Sequence, residues 1–122
     1  MGWASLAAAA VTSTYGVWQL ASLPASRLVT HVADDTFYYL VLARNLADAG
    51  RLTFDGVNPA SGVHPAWLAL TALLSAAGLE GIALVRAAIV LAFVCHIAAA
   101  LLVMRIVQEA GVPEAAPWCG AL

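Results

Sequence analysis

The run from Ala87 to Met104 constrains this chain more than any other stretch. It holds eighteen residues without a formally charged side chain and is bounded by Arg86 and Arg105. A helix needs about 20 predominantly apolar residues to cross a bilayer core about 30 Å thick. A run of this kind must therefore enter either a large protein core or a membrane. The 122-residue chain is 63% hydrophobic and 10% charged, against about 45–50% and about 25% in soluble domains. A soluble fold of this length lacks the polar surface to cover so much apolar matter. The sequence thus predicts an all-α protein of integral membrane helices, with a helix over 82–109 as its clearest span. A net charge of −2 and the absence of lysine leave no basic patch, which excludes a nucleic-acid partner.

The rest of the chain falls into order around that helix. Residues 4–23 carry no formal charge and match the length of a first transmembrane helix, with Trp3 and Trp18 as interfacial anchors. Thr12, Ser13, Thr14, Gly16 and Gln19 interrupt it. A cleaved signal peptide ending near Pro24-Ala25-Ser26 is the competing reading, but the basic n-region it needs is missing. Residues 27–63 form a loop outside the membrane. Within it a short interfacial helix is expected over 36–49, starting near Thr36 and stopping at Gly50. Leu52-Thr53-Phe54 reads as a short extended piece before an Asp55-Gly56 turn. Residues 65–79 and 82–109, joined by a tight link, predict an antiparallel helical hairpin in the membrane. Residues 111–122 read as the start of a truncated continuation. Cys95 in an apolar helix and Cys119 near the C-terminus do not suggest a disulfide.

Candidate chemistry gathers between Asp34 and Trp67, which holds four of the seven acidic residues, two of the five arginines and one of the three histidines. Asp34-Asp35 is the first candidate. Asp35 could cap the helix from Thr36 with Asp34 as a solvated neighbour, or the pair could form an acid/base or metal site. Arg44 and Asp48, four apart, make either a surface ion pair or leave Arg44 free for a phosphate. His64 precedes Pro65 at a helix start and is either a capping residue or a substrate contact. His31 could pair with Asp34. Cys95 and His96 are too few for a zinc site and suit a helix–helix contact. Arg86, near a helix end, is expected to snorkel.

Taken together, Asp34-Asp35, an aromatic helix ending in Ala43-Arg44-Asn45-Leu46-Ala47, Phe54-Asp55-Gly56, Asn58-Pro59, Gly62 and His64-Pro65-x-Trp67 resemble the N-terminal part of bacterial multi-pass GT-C glycosyltransferases. That superfamily includes the protein O-mannosyltransferases. The resemblance covers roughly residues 5 to 105 and is most specific over Asp34–Trp67. It implies a polyprenyl-phosphate-linked sugar donor, an acceptor of unknown identity, a site at the extracytoplasmic face and residence in the bacterial plasma membrane. It makes Asp34 the essential carboxylate, as general base or metal ligand, with Asp35 in the second acidic position; Arg44 and His64 stay the substrate-binding candidates that the residues themselves offer. A divalent metal is used by some members and not by others; Asp34 and Asp35 would hold it.

The resemblance places the 27–63 loop outside, against an arginine count of three in that loop to one on the other side, which favours the cytoplasm. It also implies more helices than this chain has, so that the chain is an N-terminal part, inactive alone, or a short derivative. Two rivals stand beside it. One is a small non-enzymatic membrane subunit packing against partner helices. The other is part of a transporter in which Asp34 and Arg86 serve a substrate path.

Overall fold

A computed structural model describes residues 2–111, with side chains described from residue 10 onward. The Trp3 side chain, Trp118, Cys119 and the expected continuation over 112–122 lie outside the described residues. The chain is all-helical: α1 Gly2–Ala21, α2 Ala25–His31, α3 Asp34–Ala49, α4 Pro65–Ala76 and α5 Gly81–Glu109. Among the described residues the only β pairing is an isolated antiparallel bridge between Thr53 and Pro59. Two compact units are present: Leu23–Ile89, and a second that takes in α1 and α5 from Val90 onward.

Among the described residues, α5 alone is long and apolar enough to cross a membrane, and only 6% of its apolar window is buried. Its 29 residues make a rod of about 43 Å at about 1.5 Å per residue, longer than a bilayer core. α1 has twenty residues, and two of its polar side chains bond one turn back along the helix. Thr14 Oγ1 donates to the Ala10 carbonyl at 2.7 Å, and Gln19 Nε2 donates to the Tyr15 hydroxyl.

Within the Leu23–Ile89 unit, three local findings depart from the sequence reading. First, the segment after α1 contains a helix, α2. Pro24 opens it, its carbonyl accepting the N–H groups of Arg27 and Leu28 at 2.9 Å, and Leu28 is fully buried. Seven residues carry too little periodicity to announce such a helix. Second, α3 starts at Asp34, two residues before the expected Thr36. Ala33 occupies the N-cap position and no side chain caps it. Asp35 is therefore not the cap. Both aspartates sit in the first turn, where negative charge meets the positive end of the helix dipole. Third, α4 takes α3 as its packing partner, rather than forming a hairpin with the first turns of α5. It stops at Ala76, where Gly78 enters the left-handed region at φ 87° and its N–H closes on the Ser75 carbonyl at 2.8 Å.

The α3–α4 contact is built on Leu42, Ala43 and Leu68, with Tyr38, Tyr39, Leu46, Leu52, Ala60, Val63 and Ala72 around them. α3 ends as expected at Gly50, whose φ of 63° lets its N–H reach the Leu46 carbonyl at 3.0 Å.

Candidate functional site

Asp34 and Asp35 are both exposed. Successive helical residues point about 100° apart, so the two carboxylates diverge. Among the described residues no three His, Cys, Asp or Glu side chains gather into a group able to hold a metal. A magnesium-type ion can rest on one or two carboxylates plus substrate phosphate. Two diverging carboxylates do not build that site by themselves, and no step below is routed through a metal.

Asp34 shares a face of α3 with Phe37, Val41 and Arg44, residues three, seven and ten further on. Phe37, Val41 and Arg44 of that face line an open groove of about 270 Å³, and Asp34 lies on the same face beyond its lining, about 15 Å along the helix from Arg44. Val29, Phe37, Val41, Leu84 and Val85 line the groove with apolar surface, and Arg44 and Glu80 supply its charge. Arg44 is exposed. The ion pair that its spacing to Asp48 suggests is not formed, and among the described residues nothing pairs with its guanidinium beside the apolar groove.

His64 sits elsewhere. It precedes α4 at the N-cap position, with no side-chain cap bond. Its ring lies parallel to that of Tyr39, at 5° and 6.1 Å between centroids, and its backbone N–H donates to the Tyr39 hydroxyl at 2.8 Å. Tyr39 follows Asp34 by five residues, about 140° round the helix. The structure therefore brings Asp34 and Arg44 onto one face of α3 and leaves His64 on the α4 side. His31 bonds within α2, through Nδ1, to the Arg27 carbonyl at 2.8 Å and the Thr30 hydroxyl at 3.2 Å, and not to Asp34. Cys95 and His96 are exposed on α5.

Two residues have roles that spacing alone did not reveal. Asp55 organises the loop after α3. Its Oδ1 accepts the N–H groups of Val57 and Asn58, both at 2.8 Å, and the Thr53 hydroxyl at 3.1 Å. Its Oδ2 accepts the Asn58 side-chain amide at 2.7 Å. The Asn58 amide, followed by the Asn58 and Val57 backbone donors, holds this carboxyl well below the usual carboxylate range. Asn45 Nδ2 donates to the Thr53 carbonyl at 2.7 Å, and Phe54 stacks on Tyr38 at 5.3 Å, so the loop is fastened to α3. Asn45, Phe54, Asp55 and Asn58 thus serve architecture. The Asp-Gly-x-Asn spacing was the available signal.

Arg86 is the second. Instead of snorkelling it is half-buried, and Nη2 donates to the Leu23 carbonyl at 3.0 Å while Nε is buried without a partner among the described residues.

Compared with known proteins, the chain matches no family model, no curated protein and no solved structure.

Proposed function

We propose that this chain acts in a membrane as the acidic-motif part of a glycosyltransferase that uses a polyprenyl-phosphate sugar donor. One observation carries the reading: an apolar groove with a guanidinium, Arg44, that no described residue pairs, on the same face of α3 as Asp34. An isoprenoid chain suits the apolar lining. A guanidinium suits the phosphate, which it can hold through two parallel hydrogen bonds. Asp34 then accepts the proton of the acceptor hydroxyl as its oxygen bonds to the anomeric carbon. The anomeric carbon–phosphate oxygen bond breaks, and the lipid phosphate leaves with that electron pair. A positioned base of this kind contributes about 10²–10⁴-fold. Asp35, pointing away, has no part in the step, and His64 holds the α3–α4 junction rather than the donor.

The membrane setting rests on α5, and multi-pass residence in a bacterial plasma membrane with the α3 segment outside belongs to the same proposal. The test is sugar transfer from a polyprenyl-phosphate donor in proteoliposomes by the full-length protein that carries this part. Asp34→Asn is expected to lose transfer while membrane insertion is unchanged. Full transfer by that variant overturns the assignment. The rival reading, a non-enzymatic membrane subunit, is favoured by the exposed apolar surface of α5. It predicts no transfer from any donor and co-purification with partner helices.

A further inference from the structure

The helix α4 is turned inside out for a protein in water. Its buried face carries Thr71 and Ser75, 0% and 7% exposed, beside Leu68 at 5%. Its open face carries Leu70 and Leu73, 37% and 67% exposed, flanked by Ala66, Ala69 and Ala76. The helix contains no charged residue at all. A surface helix in water places its leucines inward and its hydroxyls outward. Here the hydroxyls pack inside the Leu23–Ile89 unit and the leucines face out. Thr71 is satisfied within its own helix, its hydroxyl contacting the Trp67 carbonyl at 2.9 Å and the Leu68 carbonyl at 3.0 Å. An inward hydroxyl bonded to its own backbone and an outward leucine are what hydrocarbon solvent selects.

We infer that the Ala66–Leu70–Leu73 face of α4 is a lipid-contact surface whose partner is acyl chain, and that α4 occupies a single leaflet. Twelve residues reach about 18 Å, short of a core about 30 Å thick. The helix thus forms the lipid-side wall of the α3–α4 pair, its inner face on Leu42 and Ala43 and its outer face in the bilayer. The inference rests on the membrane setting proposed above and is independent of the sugar chemistry.

The test is nitroxide accessibility in liposomes, in a background carrying C95A and C119A. Single labels are placed at L70C and L73C, with V94C on the exposed mid-span surface of α5 as the membrane control and S61C as the aqueous control. Positions 70 and 73 are expected to collide with oxygen and be protected from a water-soluble nickel chelate, with an oxygen-to-chelate ratio several-fold above that of position 61 and close to that of position 94. If position 94 is protected and 70 and 73 are open to the chelate, the face meets water and this inference alone fails. Protection of 70 and 73 from both reagents means that protein covers the face, which also overturns it. Chelate access at position 94 overturns the membrane setting and this inference with it. Positions 61, 73 and 94 are well exposed, and position 70, 37% exposed, lies at the edge of the open face, so near-ultraviolet circular dichroism of L70C against the unlabelled background checks that its label leaves the packing intact.

Discussion

The hydroxyl of Tyr39 accepts the backbone N–H of His64 at 2.8 Å while the two rings lie parallel, a contact between residues twenty-five apart. It ties α3 to the N-cap residue of α4, at the point where a helix start leaves its N–H groups without intrahelical partners. Tyr39→Phe keeps the ring and removes the acceptor. A loss of about 0.5–1.5 kcal/mol in unfolding free energy is expected, measured by denaturant unfolding in detergent. His64→Ala is expected to lower stability and to leave the KM for the lipid donor unchanged, which separates its junction role from that of a donor contact.

Arg44 makes a different kind of claim. Arg44→Lys keeps the charge and loses the planar fork. Steady-state transfer assays are expected to show a raised KM for the lipid donor, with a smaller change in kcat. A donor KM equal to wild type would remove Arg44 from the phosphate site.

Asp55 gives the loop an acid sensitivity of defined sign. Its folded pKa is depressed by the Asn58 and Val57 donors. Its contribution is therefore complete above the unfolded carboxylate value, about 3.9, and is lost as pH falls from there through the folded value. Asp55→Asn removes that titration and turns a donor toward the Asn58 amide. Acid unfolding followed by near-ultraviolet circular dichroism is expected to show a shallower pH dependence below about pH 4 for the variant, and lower stability at neutral pH.

At Gly50 the left-handed φ of 63° is required and the space around the α-carbon is open. Gly50→Ala therefore meets backbone strain alone. A cost of about 1–2 kcal/mol is expected, read as a lowered melting temperature.

What the sequence disclosed follows from where the physics is local. The charge-free run of α5 and the glycine that ends α3 can be read directly, because one depends on composition and the other on a single residue type. The start of α3 was misplaced because Ala33 stands at the cap, without the side-chain oxygen that marks most helix beginnings. α2 was missed because seven residues barely complete two turns. α4 is apolar on nearly every side, so its sequence does not disclose that Thr71 and Ser75 turn inward. The site was legible only in part. Asp34 and Arg44 were singled out as residues, but their common face beside an apolar groove, and the separation of His64 from it, depend on packing between elements.

The bond from Arg86 to the Leu23 carbonyl joins residues sixty-three apart. During synthesis the chain emerges from its N-terminus, so this carbonyl at the joint before α2 leaves the ribosome long before its donor is made. Until the first turns of α5 follow, another donor such as water must serve it. This contact within the Leu23–Ile89 unit is thus completed late, only once residue 86 has been made.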